Sequence, residues 1–378
     1  MASADPDVNA VLQASGESTI KKATQKAQTQ IDQLFNISLH IAVTGVTGSG
    51  KSSFINAVRE LNDDDESAAK TGVTETTMKA TSYKHPTVPN VMFWDLPGIG
   101  SPNFKAKKYF KDTQFSAYDF YIIILSERVT ENDIMLAKEI KRSKKLFYFV
   151  RSKIDNDIRA EETKRNFNKE ETLSQIKRNC MEHLKEIENP KVFLISSKDI
   201  KAFEFEELID TLNTELPERK RSALIQSVPV TSVAMLKKKV KMFEEAAWAA
   251  ACCSGVIAVV PVPGLSLACD ASILVSFFTR CYYSFGLDDK SLKKLSERVN
   301  KPELKDFKKS PLILALATGS NARLALSAVV EYLCSLVPGI GSVLAAEISF
   351  TCTFHLLKSG LKELEDAALM VLEEAGLQ

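Results

Sequence analysis

Residues 41–53 read Ile-Ala-Val-Thr-Gly-Val-Thr-Gly-Ser-Gly-Lys-Ser-Ser, and this stretch decides the fold. The apolar, β-branched run at residues 39–43 predicts a buried strand, and residues 54–58 predict a helix. Between them lies a Gly-x-x-x-x-Gly-Lys-Ser motif, whose glycines let backbone N–H groups converge on an anion. Strand, motif and helix in this order predict a phosphate loop rather than a Gly/Ser-rich turn.

The side chains of this loop have distinct predicted roles. Lys51 reaches the outer phosphates of a nucleotide, and Ser52 offers its hydroxyl to Mg²⁺. The helix N-terminus adds the positive end of its dipole. The other predicted phosphate contacts are Gly45, Thr47, Gly48, Ser49, Gly50 and Ser53. The sequence therefore predicts a nucleotide-binding protein.

The composition limits the class of protein. At 378 residues, two or three domains are expected. A net charge of +1 gives no overall field that would attract nucleic acid. The seven cysteines show no metal-ligand spacing and are expected to be reduced, as in a cytosolic protein. Residue 2 is alanine and the N-terminus has no apolar signal region, so neither myristoylation nor secretion is expected.

Short apolar runs alternate with amphipathic stretches between residues 39 and 216. This alternation predicts an α/β domain with a mostly parallel sheet, and the ligand then lies at the carboxyl ends of the strands. A proline and a basic cluster at residues 216–221 mark a boundary, beyond which only helices are predicted. The predicted division is an N-terminal helical segment (1–36), a nucleotide-binding domain (37–218) and an α-helical domain (219–378).

Two long apolar segments lie in the helical part. Residues 246–279 are interrupted by Pro-Val-Pro-Gly at 261–264, and residues 311–357 by Pro-Gly-Ile-Gly at 338–341. Each segment predicts a buried or reversibly membrane-seeking helical hairpin rather than true transmembrane spans. In the first segment the breaker leaves halves that are too short to span a bilayer, and the second segment contains the charged residues Arg323, Glu331 and Glu347. Residues 357–372 predict a final helix that packs on a neighbour.

A second motif narrows the chemistry. Residues 93–98 read Phe-Trp-Asp-Leu-Pro-Gly and follow a predicted strand. Asp95 at the strand end can hold Mg²⁺, and the Gly98 N–H can meet a γ-phosphate. This Asp-x-x-Gly pattern, placed after a phosphate loop, predicts a nucleoside triphosphatase switch.

A third motif indicates the base. Lys153 and Asp155 end another strand in a Ser-Lys-Ile-Asp sequence, which resembles the guanine-reading [Asn/Thr]-Lys-x-Asp pattern. A carboxylate there accepts from the two N–H donors of guanine, and the lysine stem covers the base. Ser152 replaces the usual Asn or Thr and is expected to affect affinity more than base identity. Ser196, Ser197 and Lys198 fit the last guanine-contacting loop. A charged loop at a strand end is the alternative.

Residues 61–81 correspond to the first switch. Four threonines are candidates to touch Mg²⁺ and the γ-phosphate: Thr71, Thr74, Thr76 and Thr77. Glu75 is the nearby carboxylate that could orient water. Ile99 stands where Ras-like enzymes place a water-positioning glutamine, and residues 46–49 contain no arginine. Hydrolysis by a single molecule is therefore expected to be slow.

With these motifs, the chain resembles the immunity-related GTPases, an interferon-inducible, dynamin-like family, in its lysine-bearing phosphate-loop subclass. The resemblance rests on residues 45–53, 70–78, 83–86, 93–100 and 147–151 and on the proline-broken hairpins. It implies a Ras-like GTPase domain, together with a helical domain built from the N-terminal helix and the C-terminal helices. It also implies that GTP/GDP and Mg²⁺ are bound.

The resemblance further implies a GTP-dependent homodimer or oligomer formed through the GTPase face. Glu75 would then serve hydrolysis, Thr71 and Thr77 would be the switch threonines, Thr77 would join Ser52 and Asp95 at Mg²⁺, and Arg128 would act across the interface. Thr130 stands where some members carry a basic residue. The expected location is cytoplasmic and peripheral on intracellular membranes, either endomembranes or pathogen-containing vacuoles, with reversible attachment.

The function expected from these features is GTP hydrolysis coupled to self-assembly in cell-autonomous innate defence. Two alternatives remain open. The first is a regulatory module whose nucleotide state controls a partner, with little intrinsic hydrolysis. The second is a tissue-specific paralogue with a trafficking or structural role. The dependence of turnover on protein concentration distinguishes an assembling enzyme from a monomeric switch.

Overall fold

The computed structural model describes residues 12–13, 15–72, 79–99, 109, 112–257, 265–306, 310–317, 332 and 350–377. The chain forms two compact units, Ser38–Val228 and Met1–Ile37 with Pro229–Gln378. We call them the sheet unit and the helical unit. The sheet unit ends at Val228, later in the chain than the predicted domain limit at residue 218. The predicted domain limits remain predictions.

The secondary-structure elements are numbered in chain order. The strands are β1 (Leu39–Gly45), β2 (Thr81–Lys84), β3 (Val91–Asp95), β4 (Phe120–Leu125), β5 (Leu146–Arg151) and β6 (Val192–Leu194). The helices are α1 (Ile20–Phe35), α2 (Lys51–Val58), α3 (Glu131–Arg142), α4 (Ile154–Glu161), α5 (Lys169–His183), α6 (Phe205–Glu215), α7 (Glu218–Ser227), α8 (Val233–Ile257), α9 (Leu265–Ser284), α10 (Asp289–Val299), α11 (Pro311–Ala317) and α12 (Phe350–Ala375).

The sheet is six-stranded in the order β2-β3-β1-β4-β5-β6. Every pair is parallel except β2 with β3, so the predicted α/β fold with a mostly parallel sheet is confirmed. All six residues of β4 are buried, as expected for a central parallel strand covered on both faces. The sequence pattern missed β2, because this edge strand, Thr-Ser-Tyr-Lys, has no apolar run and is mostly exposed.

The topology determines where a ligand binds. β1 has β3 on one side and β4 on the other, so the strand order reverses beside it. The carboxyl ends of β1, β3, β4, β5 and β6 open on the same edge of the sheet, which is where open α/β folds bind ligands. The loops that follow these strands hold most of the residues that the sequence analysis selected.

The helical unit packs around α8. This helix contacts α1, α9 and α12, so the predicted packing of the N-terminal helix on the C-terminal helices is confirmed. Ala23 and Ala27 of α1 are fully buried in its core. Past residue 230 the described residues contain no strand. The final helix is also confirmed, since Leu357, Leu361 and Leu364 of α12 are buried.

The two predicted hairpins are described only in part. α8 and α9 contact each other as the first hairpin requires. Its turn at residues 261–264 and the turn of the second hairpin at 338–341 lie outside the described residues. Within the described part of the chain, no helix combines the length and apolar character that crossing a bilayer requires.

Candidate nucleotide-binding site

The phosphate loop joins the end of β1 to the start of α2. Gly45 has φ +140°, and a Cβ at this position would lie 2.2 Å from the Ile124 carbonyl oxygen of the neighbouring strand. Gly48 and Gly50 have φ +78° and +97°, in the left-handed region that favours glycine. The glycines of the motif are therefore required by backbone conformation and by packing against β4.

Lys51 folds back over this loop. Its Nζ donates to the carbonyl oxygens of Gly45 at 3.2 Å and Val46 at 3.1 Å, and the side chain is buried. The Ser49 hydroxyl is also buried, and among the described residues it has no hydrogen-bond partner. A buried cation and a buried hydroxyl beside glycine backbone fit a phosphate group.

Ser52 and Asp95 meet beside the phosphate loop. The Ser52 hydroxyl donates to Asp95 Oδ2 at 2.6 Å, and Asp95 is fully buried at the end of β3. Hydroxyl and carboxylate oxygens are the donors that Mg²⁺ prefers, and Mg²⁺ takes few protein ligands in addition to phosphate oxygens and water. This pair therefore fits a nucleotide-bound Mg²⁺.

The Asp-x-x-Gly segment runs along the phosphate loop. The backbone N–H groups of Leu96 and Ile99 donate to the carbonyl oxygens of Val43 at 3.0 Å and Gly45 at 3.2 Å. A Cβ on Gly98 would lie 2.2 Å from Thr47 Oγ1, so no larger residue fits there. Ile99 is fully buried in the apolar core of the sheet unit.

Two residues that hold this segment were not predicted. The Tyr109 hydroxyl donates to the Pro97 carbonyl oxygen at 3.0 Å, and the Asn132 side-chain amide donates to the Ile99 carbonyl oxygen at 2.7 Å. Neither residue belongs to a nucleotide-binding motif. No pattern in the sequence indicated them, since both contacts depend on tertiary packing across 12 and 33 residues.

The loop between β5 and α4 contacts the phosphate loop directly. Ser152 Oγ lies 2.5 Å from the Ser49 carbonyl oxygen and 3.2 Å from that of Leu125. Lys153 has φ +61°, and its Nζ donates to the Gly48 carbonyl oxygen at 2.8 Å. Serine therefore braces the phosphate loop from this position, and the Lys153 stem crosses the site.

Asp155 is joined to the loop that follows β6. Its Oδ1 accepts from the Ser196 hydroxyl at 2.9 Å, and its Oδ2 lies 3.6 Å from Lys198 Nζ. Ser196 Oγ in turn accepts from the backbone N–H groups of Lys198 and Asp199. The structure thus brings together Asp155, Ser196 and Lys198, and half-buried Ser197 lies between the last two in the chain.

An ion pair between buried Arg151 and half-buried Asp157 supports this loop. Arg151 Nη2 donates to Asp157 Oδ2 at 2.7 Å, and Arg151 Nη1 donates to the Ser152 carbonyl oxygen. The pKa of the Asp157 carboxyl is raised, chiefly by burial, although Arg151 acts to lower it. The pair fixes the first turn of α4 relative to β5, and Asp155 lies on that turn.

The first switch is described except at residues 73–78. Asn56 donates to Ala69 O at 2.9 Å and accepts from Ala69 N at 2.6 Å, so it clamps this backbone from α2. Arg59 donates to the Ser67 carbonyl oxygen at 2.9 Å. Thr71 follows this clamp and is half-buried. Four predicted residues lie outside the described residues: Thr74, Glu75, Thr76 and Thr77.

Arg128 lies on the loop between β4 and α3. Its side chain is exposed. Thr130 begins α3: its hydroxyl accepts from the Asp133 N–H, while the Asp133 carboxylate accepts from the Thr130 N–H, which is a capping box. Thr130 therefore has a local structural task, and Arg128 is the exposed cation of this loop.

Comparison with known proteins gives a family match over nearly the whole chain. Residues 5–375 match the family model described as Interferon-inducible GTPase (IIGP). Rat Interferon-inducible GTPase 5 is 38% identical over 345 residues, which cover 88% of this chain and 74% of the rat protein. Mouse Interferon-inducible GTPase 1 is 38% identical over 302 residues, covering 78% and 73%. Mouse Interferon-gamma-inducible GTPase 10 is 33% identical over 373 residues, covering 96% and 88%.

Proposed function

Since this chain belongs to the interferon-inducible, immunity-related GTPase family and is a GTPase, we propose that it hydrolyses GTP slowly alone and faster in a GTP-dependent assembly. The Ser52–Asp95 contact carries this proposal, because it places two Mg²⁺-type oxygen ligands beside a glycine-lined phosphate loop. The presence of Lys51 between Gly50 and Ser52 supports the lysine-bearing subclass of the family.

In this proposal each group of residues has one task. Gly45–Ser53 wraps the phosphates with backbone N–H groups, and the Lys51 ammonium faces the β- and γ-phosphates. Ser52 and Asp95, with Thr77 from the switch, hold Mg²⁺. When bound, Mg²⁺ would supply positive charge that stabilises the negative charge on the phosphates.

Asp155 reads the guanine base. Its carboxylate lies at the strand edge with Ser196 and Lys198, and the Lys153 stem covers the base face. The Gly98 N–H would meet the γ-phosphate, because Gly98 lies beside the phosphate loop, where a Cβ on it would come within 2.2 Å of Thr47 Oγ1. A γ-phosphate contact lets the switch distinguish GTP from GDP.

Slow turnover by a single molecule follows from the residues around the γ-phosphate. Ile99 is buried in the core where a glutamine would orient water in Ras-like enzymes. We assign that task to Glu75. A Glu75→Ala variant should keep wild-type GTP affinity and lose turnover, whereas Glu66→Ala, in the preceding loop, should keep both. Normal hydrolysis by Glu75→Ala would refute this role.

The same face is proposed to bind a second copy of the chain. Arg128 is exposed on the loop between β4 and α3, so it can reach a partner. A cation supplied from outside is the usual way to complete a slow GTPase site. Turnover per molecule should therefore rise with protein concentration when GTP is bound.

We further propose a cytoplasmic protein that attaches reversibly to intracellular membranes, in cell-autonomous defence. The sequence has a lysine-rich run at residues 237–241. Lys237 and Lys241 are exposed on α8, whereas Lys239 is fully buried, so this run presents fewer charges than the sequence suggests. Weak electrostatic and apolar attractions favour reversible binding. Sedimentation with anionic vesicles should increase with a GTP analogue relative to GDP. If the protein sediments to the same extent when vesicles are left out, membrane attachment is contradicted.

A further inference from the structure

One phenol is bonded to the backbone of the proposed γ-phosphate sensor. The Tyr109 hydroxyl donates to the Pro97 carbonyl oxygen at 3.0 Å and lies 2.8 Å from the Thr44 hydroxyl oxygen. Since the phenol has one proton and gives it to Pro97, Thr44 donates to the phenol oxygen. Thr44 is fully buried in β1, one residue before Gly45. Tyr109 thus links β1 to the Asp-x-x-Gly segment.

The bonded carbonyl belongs to the same peptide group as the Gly98 N–H. A peptide group is planar and trans, so its C=O and N–H point in opposite directions. A hydrogen bond that fixes the Pro97 oxygen therefore also fixes the direction of the Gly98 hydrogen. In the described residues the Gly98 N–H itself makes no hydrogen bond within the protein.

We propose that Tyr109 is a positioning residue for GTP hydrolysis, whose hydroxyl orients the Pro97–Gly98 peptide so that the Gly98 N–H meets the γ-phosphate. The inference rests on the proposed contact between Gly98 and the γ-phosphate. It assigns the orientation of that contact to a side chain outside the nucleotide-binding motifs.

The surroundings of Tyr109 support this assignment. Burial raises the pKa of the Tyr109 hydroxyl above its usual range, and nearby Asp95 raises it further, so the phenol stays a donor. Leu96 and Ile99 are bonded to β1 through their backbone N–H groups, and Asn132 binds the Ile99 carbonyl oxygen. The flanking residues are thus held, and the Pro97–Gly98 peptide is held by Tyr109.

The test separates the γ-phosphate from the rest of the nucleotide. Tyr109→Phe removes the hydroxyl and keeps the ring. We expect kcat to fall about tenfold, and the affinity for a non-hydrolysable GTP analogue to fall about three- to tenfold, as expected for one hydrogen bond. The affinity for GDP should change less than about twofold, because GDP has no γ-phosphate.

Tyr118→Phe is the matched control. The Tyr118 hydroxyl is buried and donates to the Thr113 carbonyl oxygen at 2.7 Å, so this variant also removes one buried phenol hydrogen bond to a backbone carbonyl. In Tyr118→Phe, the ratio of the affinity for the GTP analogue to the affinity for GDP should equal that of wild type. Thr44→Val removes the other partner of Tyr109 and should reproduce the pattern of Tyr109→Phe more weakly. If Tyr109→Phe does not fold, the Thr44→Val variant tests the positioning role of Tyr109.

Two results would overturn the inference. One is wild-type kcat in Tyr109→Phe, and the other is an equal loss of GDP and analogue affinity, which would indicate a structural role. Wild-type turnover is measured in parallel. Its absence would refute the proposed function itself, whereas normal wild-type turnover with an unaffected variant would refute only the role of Tyr109.

Discussion

The Ser52 hydroxyl donates a 2.6 Å hydrogen bond to the Asp95 carboxylate, although the two residues are 43 positions apart. The contact is a consequence of strand register: β1 and β3 are parallel, and Val43 lies opposite Asp95. The phosphate loop leaves β1 at the same level, so its first helical turn reaches the end of β3. Two motifs that are separate in sequence thereby become one site.

Ser52→Ala should weaken binding of GTP in the presence of Mg²⁺ by about tenfold, because one oxygen ligand of the ion is lost. Affinity in EDTA should stay near that of wild type. Calorimetric titration with and without Mg²⁺ measures both values, and Lys185→Ala on the exposed surface is the control. Equal losses in the two conditions would show that Ser52 contacts the nucleotide and not the metal.

Ser152→Ala should lower the affinity for GTP and GDP alike by about tenfold, because it removes the hydroxyl that contacts the Ser49 carbonyl oxygen. Ser152→Thr keeps a hydroxyl and should recover most of this affinity. Competition between GTP and XTP should be unchanged in both variants. A shift in base preference would mean that Ser152 reads the base.

Asp155→Asn should exchange guanine for xanthine preference, because the amide donates where the carboxylate accepted. Competitive binding of GTP and XTP measures the exchange. Asp157→Asn is the matched control: it lies on the same turn of α4 but pairs with Arg151, so it should weaken both nucleotides equally. An unchanged preference in Asp155→Asn would exclude Asp155 as the base reader.

The lowered pKa of Glu215 predicts that the stability of the fold depends on pH. Burial would raise the pKa of Glu215, but hydrogen bonds from Lys191 and Tyr148 lower it below its usual value. A lowered carboxylate pKa stabilises the fold above the unfolded pKa, and this contribution is lost as pH falls through the folded pKa. Because Glu215 is partly exposed, Glu215→Gln should cost only about 1 kcal/mol at pH 7.

The difference between wild type and Glu215→Gln should shrink below about pH 4. Urea unfolding followed by Trp94 fluorescence measures it in the sheet unit, in a Trp248→Phe background that removes the tryptophan of the helical unit. A difference that stays constant with pH would show that the carboxylate charge of Glu215 is not the cause.

The sequence allowed the parallel sheet and the principal loops to be predicted, because these features depend on local patterns. Buried apolar runs revealed β1, β3, β4, β5 and β6, and glycine spacing revealed the phosphate loop. The exposed edge strand β2 has neither signal. The short helix α4 was also missed, because it begins at Ile154, within the Ser-Lys-Ile-Asp motif that follows β5.

The supporting contacts of the site could not be predicted. Tyr109, Asn132 and Asn56 act through hydrogen bonds to backbone groups whose positions exist only in the folded chain. Asp63, which is exposed in the loop after α2, accepts a hydrogen bond from Asn56 at 2.8 Å. Polar residues in a loop do not reveal their partners through periodicity.

The most direct measurement is GTP turnover per molecule across a wide range of protein concentration, for wild type and Arg128→Ala. Arg142→Ala, an exposed arginine at the end of α3, is the control. We predict rising specific activity for wild type and Arg142→Ala, and a flat, slow rate for Arg128→Ala. A flat rate for wild type would contradict completion of the site by a second molecule and would favour a switch that awaits a separate activator.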